Sequence, residues 1–352
     1  MNFLAKQAYN TELKRVARRL GLPLTGNIEE AIIRYCHNQV AAWINKHGQP
    51  ITLSELSNLF ATSLSMGFEE IYNKADLKDL LKRIPPKLEP IMVRLQAEFD
   101  EDTDAIIVRR NNQKPWEYPF LAVINCQDWH AFRKFFTKWH EIVHRLVEGQ
   151  QLRFAFRHTH TYHPEPEEVL VDRITAVIAF YPDIFEPAFH KELNYAGRLT
   201  FEVVDKTRNK IAPDASREAA ILACLRCCPT PVWFVRSKIG YKRIEEQILA
   251  SPQMSLIPDY DHKPEAKLRV REAACSPIAS NLGIRIHQNM RIPDSSIITQ
   301  TFQDPLRLSH TGNDQLHTWQ TSSSGPIGHG VIDVEAIRVG EEVWALVHMH
   351  SG

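Results

Sequence analysis

Apolar residues in the first ninety or so positions recur every three or four residues, the spacing that lines up one face of an α-helix. Asn27 can cap one such helix, and Thr52 with Glu55 forms a capping-box pattern at the start of a second one. A third helix is expected after Met66-Gly67, with apolar positions at Ile71, Leu77, Leu80, Leu81 and Ile84. Three short helices with tight turns favour a helix-turn-helix module or, equally, a small helical cap that packs on the next domain.

Short apolar runs replace this helical pattern after Pro85-Pro86. They predict strands at 91–93, 105–108 and 120–124. A long amphipathic helix is then expected from near Asp128 to Gly149, because glycine commonly follows the last helical residue. A second helix is predicted over Glu167 to Phe180, and more helix over about 186–228.

The chain beyond residue 228 is rich in strand-like runs, at 232–235, 330–334 and 343–347, while 321–326 has the composition of a loop. The pattern as a whole predicts an α+β protein in three parts. These are an N-terminal helical, helix-turn-helix-like region at 1–86, a central domain at 87–228 and a β-rich domain at 229–352.

The composition of the 352 residues excludes several classes of protein. Hydrophobic residues make up 43% and charged residues 24%, which rules out wholesale disorder. No run of about 18 uncharged apolar residues occurs, so no transmembrane helix is expected, and the N-terminus lacks the apolar segment of a secretory signal. The 42 basic residues balance the 42 acidic ones, so overall charge does not indicate nucleic-acid binding. Six unevenly spaced cysteines do not suit a disulfide framework, so we expect a soluble, cytoplasmic protein without a membrane partner.

The segment His140-Glu141-Ile142-Val143-His144 carries the clearest chemical signal, and it lies within the first long helix. Residues i and i+4 lie one turn apart on one helix face, so His140 and His144 can chelate one Zn²⁺ ion. Glu141 would lie beside the metal as the general base for a water molecule whose pKa zinc lowers towards neutrality. Because histidine pairs also occur by chance on helices, a third ligand is needed to decide whether His140 and His144 form a metal site.

Glu168 offers that third ligand from the second long helix. A third histidine farther along the first helix is excluded, because the position it would occupy is Gln150. Glu168 and Asp172 share a helix face, so Asp172 can accept a hydrogen bond from the outer ring nitrogen of His140 and fix its orientation. Glu167 points about 100° elsewhere on the helix and is the second choice of ligand.

These residues resemble the core of the ImmA/IrrE family of metallopeptidases, whose pattern is a strand ending in Ile-Asn followed by F-T-x-x-H-E-x-x-H. The matching residues are Ala122-Val123-Ile124-Asn125, Phe136-Thr137, His140, Glu141, His144, Glu168, Asp172 and Pro182. The resemblance covers about residues 90 to 185. The chain departs from the family at Trp139, Val143 and Ile174-Thr175, where smaller or different residues are usual. These departures concern packing and not the ligands.

The resemblance implies a gluzincin-like zinc endopeptidase that cleaves a partner helix-turn-helix transcriptional repressor in response to a stress signal, of the DNA-damage or phage-defence type. Longer family members carry a GAF-like sensor domain at the C-terminus, which would correspond to 229–352 here. In the family, the strand before the zinc helix borders the cleft. The substrate is therefore expected to add to 120–124 as an extended strand.

Two further groups could act at the zinc site. His160, Tyr162 or His163 could stabilise the oxyanion of the tetrahedral intermediate, the histidine-rich stretch 158–163 could be a second metal site, or these residues belong to a solvated loop. Cys126 lies between the bordering strand and the zinc helix, so its thiolate could be an inhibitory fourth ligand. The alternative is that Cys126 is a small buried residue at the end of a strand.

Two patterns in the C-terminal part leave a binding role open. Four basic residues interleave with Tyr241 at 235–243, after Trp233 and Phe234. They could form a platform for single-stranded DNA that acts as an activator, or a solvated strand and turn. The three cysteines at 224–228 have half of a zinc-ribbon spacing without a partner pair, which favours buried helix cysteines.

The alternative to a peptidase is a transcriptional regulator or nucleic-acid-binding module with a degenerate peptidase fold. It would use the N-terminal helices and the basic stretch at 235–243. Intact zinc ligands together with Glu141 argue against it, because an inactive site does not need the base.

Overall fold

The computed structural model describes residues 3–83, 103–110, 117–148, 154–158, 165–242, 245–247, 265–321 and 325–349. They contain both helices and strands, with one main sheet in each of two compact units, so the predicted α+β class is confirmed. Unit 1 comprises Met1–His190 and Lys206–Ala220, and unit 2 comprises Lys191–Asp205 and Ile221–Gly352. The boundary expected after residue 86 lies outside the described residues.

Unit 1 begins with three helices, and the sequence predicts where two of them start. The helices are α1 (Phe3–Arg19), α2 (Ile28–His47) and α3 (Leu53–Ser63). The Asn27 side chain caps α2 by accepting from the backbone N–H of Glu30, and Thr52 caps α3 by accepting from that of Glu55. The Glu55 carboxylate accepts from the N–H of Ile51, one residue before the usual capping-box position.

The third predicted helix is wrong in its first part, because the residues after α3 form a strand. This strand, β1, covers Met66–Ile71, and helix α4 (Lys74–Arg83) follows it. Every residue of β1 pairs in parallel with β3 (Phe120–Asn125), so Ile71 belongs to a strand. The Asn73 side chain accepts from two backbone N–H groups in the first turn of α4, which starts the helix where the strand has ended.

The sheet of unit 1 has the strand order β1-β3-β2-β4, with β2 at Thr103–Arg109 and β4 at Phe154–His158. β2 runs antiparallel to β3 and to β4. The strands predicted at 105–108 and 120–124 are confirmed, and their burial explains why both runs are apolar throughout. β3 is paired along both sides, so the expectation that a substrate adds to 120–124 as a further strand is wrong.

The two long helices lie where the sequence predicts them. A 3₁₀-helix over Asp128–Arg133 leads into α5 (Lys134–Glu148), so the regular helix begins after the predicted start. Helix α6 (Pro166–Ile178) has its proline in the first turn, where the missing N–H costs no helical hydrogen bond. The helical stretch predicted over 186–228 consists of α7 (Pro182–Ala196), α8 (Phe201–Ile211) and α9 (Arg217–Cys227).

Unit 2 contains a five-stranded antiparallel sheet with the strand order β6-β5-β11-β10-β7. Its strands are β5 (Val232–Gly240), β6 (Lys267–Cys275), β7 (Ser309–Gln315), β10 (Val331–Val339) and β11 (Glu342–Met349). Alternate residues of the sheet pack with the short helices α10 (Pro277–Ser280) and α11 (Ile297–Gln303) in a core that includes Trp233 and Trp319. The three strands predicted in this part of the chain are confirmed.

The loop predicted at 321–326 is partly wrong, because its ends pair as the short strands β8 (Gln320–Thr321) and β9 (Gly325–Pro326). The strand predicted at 91–93 and the helix end predicted at Gly149 lie outside the described residues. Of the helices described, none is both long enough and apolar enough to cross a bilayer.

Candidate metal centre

Helix α5 places two histidine rings side by side in the interior of unit 1. His140 and His144 lie one turn apart, and both are almost completely buried. Their Nε2 atoms are 3.0 Å apart. The two ring nitrogens thus turn towards a common point, as the HExxH spacing predicts.

Helix α6 packs against α5 and brings a carboxylate to the same point. Glu168 Oε2 lies 3.0 Å from His140 Nε2, and Glu168 Oε1 lies 3.1 Å from His144 Nε2. The ligand atoms of the three residues all lie within 4.8 Å of one another. This buried group could hold a metal ion.

Asp172 lies one turn after Glu168 and fixes the ring of His140. Its Oδ1 accepts a hydrogen bond of 2.9 Å from His140 Nδ1, so the lone pair of His140 is on Nε2, towards the other two ligands. In a tetrahedral zinc site with bonds of the usual length, ligand atoms are roughly 3.3 Å apart. The residues therefore fit a tetrahedral site with two nitrogen ligands and one carboxylate.

The charges around the two histidines favour a cation at this point. Burial lowers the pKa of His144, but the carboxylates of Glu168, Glu141 and Glu167 outweigh burial and raise this pKa to about 9. Burial raises the pKa of Glu168, yet its hydrogen bonds to His140 and His144 hold that pKa well below its usual range. The surrounding carboxylates therefore stabilise a positive charge at this point, whether it is a proton on His144 or a metal cation.

Glu141 lies beside His140 on α5, and only 1% of its surface is exposed. Its charge contributes to the raised pKa of His144. This is the neighbourhood in which a general base for water attack has to lie.

Glu167, the second choice of ligand, faces the outer nitrogen of His144 and not the ligand group. Its Oε1 lies 3.7 Å from His144 Nδ1, and its Oε2 forms an ion pair of 2.7 Å with Arg15 of α1. Arg15 also contacts Glu148, at the end of α5, at 3.2 Å. Burial and the charge of Glu148 raise the pKa of Glu167 to about 7. Arg15 is not among the site residues expected from the sequence, where its local signal is no more than the basic character of α1.

Cys126, which follows β3, does not belong to the ligand group found among the described residues. Its backbone N–H donates to the carbonyl of Ile71, and its side chain is buried. Burial and the charge of Glu70 outweigh Lys134 and Lys138 and raise the pKa of the thiol to about 12. Such a thiol keeps its proton at neutral pH, whereas zinc binds the thiolate. The inhibitory role of Cys126 stays a prediction.

The remaining candidates differ in where the structure places them. His160, Tyr162 and His163 lie outside the described residues. In unit 2, Trp233 and Phe234 are buried in the sheet and offer no face on which a nucleotide base could stack. The cysteines at 224–228 are buried or half-buried on and just after α9, as predicted for helix cysteines, and join no metal-ligand group in the described part of the chain.

The basic side chains of the stretch at 235–243 are partly engaged within unit 2. Arg236 forms an ion pair of 2.9 Å with Glu342 and lies over the ring of Trp344. Lys238 forms an ion pair of 2.7 Å with the exposed Glu341. The binding of single-stranded DNA to this stretch stays a prediction.

Comparison of the chain with models of known protein families found no match, and comparison with curated proteins found no related protein. What the protein does has therefore to be inferred from the side chains that meet at the metal centre. These are the three candidate ligands, Glu141 and Asp172.

Proposed function

We propose that the protein is a zinc-dependent endopeptidase whose metal ligands are His140, His144 and Glu168. The observation that carries this proposal is the meeting of these three side chains in a buried group, with Glu141 next to the first of them on the same helix. Two histidines on a helix and a glutamate are a known ligand set of catalytic zinc sites. Nitrogen ligands at tetrahedral separations favour zinc over magnesium or calcium, which prefer six or more oxygen ligands.

Glu141 is the proposed general base. Zinc, when bound, would supply a Lewis acid at the scissile carbonyl and would make the attacking water more acidic. The Glu141 carboxylate accepts a proton from this water as its oxygen attacks the carbonyl carbon. The same carboxylate then gives the proton to the amide nitrogen of the leaving peptide as the C–N bond breaks. Burial of Glu141 separates this proton transfer from bulk solvent.

The substrate is proposed to bind in extended form at an edge of the sheet in unit 1. In the described residues, β1 and β4 are the edge strands, whereas β3 is in the interior. β4 lies between α5 and α6 in the chain, and these helices carry all three proposed ligands. We therefore place the substrate along β4, where main-chain hydrogen bonds would supply affinity without requiring a particular sequence.

The proposed substrate is a partner helix-turn-helix repressor, cleaved in a flexible linker or a locally unfolded segment when a stress signal arrives. This part of the proposal comes from the resemblance of residues 122–144 and 168–182 to the ImmA/IrrE family. Unit 2, with its own sheet and core, is the proposed GAF-like sensor. We also propose single-stranded DNA as the signal that activates cleavage.

Two neighbouring glutamates provide a matched test of the ligand set. Glu168→Ala and Glu167→Ala remove the same side chain from adjacent positions of α6. We expect the wild-type chain to hold about one zinc ion and to cleave a candidate repressor in a purified mixture that contains single-stranded DNA, the proposed activator. Glu168→Ala should lose both properties, whereas Glu167→Ala should keep the zinc site with weakened affinity.

The reverse result, with full zinc and cleavage in Glu168→Ala and neither in Glu167→Ala, would refute the ligand set. An endopeptidase role would be refuted if the zinc-loaded wild type, with single-stranded DNA present, cleaved neither the repressors encoded near it nor an unfolded protein. Metal content measured by atomic spectroscopy separates these two failures, because it does not depend on the choice of substrate.

A further inference from the structure

Unit 2 contains a cavity of about 580 Å³ next to β5 and β6. This volume is in the range of small-molecule sites. The cavity has more cationic than anionic lining, and two side-chain amides add hydrogen-bond donors. The residues concerned are Lys238, Arg269, Arg271, Glu246, Gln288 and Asn289.

Arg269 is the buried cation of this cavity, with 8% of its surface exposed. Its Nε donates to the carbonyl of Gly240 at 3.3 Å, and its Nη1 donates to the carbonyl of Asn289 at 3.0 Å. A guanidinium has five N–H donors, so these two bonds leave three of them unused. Within the described residues, Arg269 forms no ion pair with a carboxylate. Burial of such a charge is costly unless an anion compensates it.

Like charges also lie opposite one another on neighbouring strands at this place. Lys238 of β5 pairs directly with Arg269 of β6, and Arg269 pairs through an isolated antiparallel bridge with Arg291. Such cross-strand pairs of like charge are destabilising. Lys238 and Arg291 each have an exposed carboxylate partner, Glu341 and Asp294, whereas Arg269 in the middle has no such partner among the described residues. The carboxylates of Glu245 and Glu246 attract Arg269 without forming an ion pair with it, so among the described residues no anion contacts its guanidinium.

We infer that this cavity binds a small phosphorylated molecule, whose phosphate accepts hydrogen bonds from the unused donors of Arg269. The planar guanidinium matches two oxygens of a phosphate group, and Lys238 supplies a second positive charge. The cavity is larger than a phosphate ion needs, so an organic group of nucleotide size fits as well. Tyr241, which also lines the cavity, offers that group an aromatic ring. The cavity lies in unit 2, whereas the proposed zinc ligands lie in unit 1. Binding of a phosphorylated molecule here therefore does not depend on the proposed peptidase activity.

The test is titration calorimetry on the full chain with inorganic phosphate and with AMP, at constant ionic strength. Arg269→Gln removes the buried charge, and Arg307→Gln is the matched control, because Arg307 is exposed elsewhere in unit 2. We expect wild type and control to bind AMP with equal affinity, and Arg269→Gln to bind it about 10- to 100-fold more weakly. Rising salt should weaken binding to the wild type.

Equal affinity of wild type and Arg269→Gln for both compounds would overturn the inference, and so would the lack of any binding to the wild type. Binding of a short oligodeoxythymidine without binding of AMP or phosphate would also overturn it, because the ligand would then be a nucleic-acid strand. If Arg269→Gln does not fold, Lys238→Gln takes its place, since Lys238 is 43% exposed. Unchanged AMP affinity in that variant would count against the inference in the same way.

Discussion

Each histidine ring of the candidate metal centre turns its outer nitrogen towards a carboxylate, but only that of His140 is hydrogen-bonded to it. Asp172 accepts a hydrogen bond from His140 at 2.9 Å, and Glu167 lies 3.7 Å from His144 Nδ1. Arg15 ties Glu167 to α1 through an ion pair of 2.7 Å. Because carboxylates near the outer nitrogen influence metal-binding histidines, we expect α1 to affect zinc binding through Arg15 and Glu167.

We therefore predict that Arg15→Gln lowers zinc affinity by about tenfold, since Glu167 loses the contact that holds it near His144. Competition with a chromogenic chelator measures this affinity. The control is Arg34→Gln on α2, where the arginine is exposed and pairs with Glu30 one helical turn away. Unchanged affinity in Arg15→Gln, or an equal loss in the control, would contradict the role of α1.

The sequence is sufficient to predict those site residues that are related by helix geometry. His140 and His144 lie one turn apart on one helix, and Glu168 and Asp172 do so on another, so local spacing brings each pair to one face. The contact of Arg15 with the second helix joins residues that are 152 positions apart. No local spacing encodes such a contact, because it depends on how α1 packs.

At the scale of secondary-structure elements, a cluster of charges joins strand β1 to α5, the helix that carries two of the proposed metal ligands. Glu70 of β1 forms an ion pair of 2.6 Å with Lys138 and one of 3.3 Å with Lys134. Lys138 also lies over the ring of Phe68, 5.1 Å from its centroid. These contacts connect the sheet to the helix that carries both histidines.

This cluster predicts a loss of stability in acid. Burial raises the pKa of Glu70, but Lys138, Tyr72 and Lys134 outweigh burial and lower the pKa from 4.5 to about 2. Because the pKa of Glu70 is lower in the folded protein than in the unfolded chain, its ionised carboxylate stabilises the fold at pH values above 4.5. This stabilisation is lost as the pH falls from 4.5 towards 2. In urea unfolding at a series of pH values, the free energy of unfolding of Glu70→Gln should therefore fall less steeply than that of wild type.

The neighbouring substitution Glu69→Gln is the control for this measurement, because Glu69 pairs with the exposed Arg83 and not with α5. Its acid profile should follow the wild type. Parallel profiles for wild type and Glu70→Gln would show that Glu70 does not link the sheet to the helix.

Strand β1 shows where local pattern fails to predict an element. The residues from Ile71 to Ile84 have helical spacing, but 66–71 form a strand because all six pair with β3. Ser65, in the turn before this strand, has a φ of +59°. This left-handed conformation is uncommon for a residue other than glycine, and the sequence does not predict it here. The interior place of β3 follows from the same long-range pairing, so the local pattern does not reveal that 120–124 cannot accept a further strand.

At the scale of the whole molecule, the chain forms two units with separate sheets and cores. The α+β class and the β-rich C-terminal part are predictable, because strands and helices have different periods. The division itself is not, since unit 2 takes in Lys191–Asp205 while unit 1 takes in the later Lys206–Ala220. Contacts between distant segments, and not composition, decide this division.

The two proposed ligands, zinc for unit 1 and AMP for unit 2, predict two separable responses in calorimetric unfolding. A ligand that binds only the folded state stabilises it by RT ln(1 + [L]/Kd), or about 4 kcal/mol at a thousand times Kd. We expect zinc to shift the transition of unit 1 alone and AMP to shift that of unit 2 alone. A zinc chelator should reverse only the first shift. A shift of both transitions by zinc would contradict the assignment of the metal centre to unit 1.

We propose that the buried group on α5 and α6 is a hydrolytic zinc site, and the rate of peptide cleavage by zinc-loaded Glu141→Gln, with single-stranded DNA present, is the sharpest test of this proposal. The substitution keeps the size of the side chain and leaves the three proposed ligands in place. We predict about one zinc ion per chain and a cleavage rate at least about 100-fold below that of wild type, because the amide cannot accept the proton of the attacking water. Cleavage at the wild-type rate by the zinc-loaded variant would contradict the account.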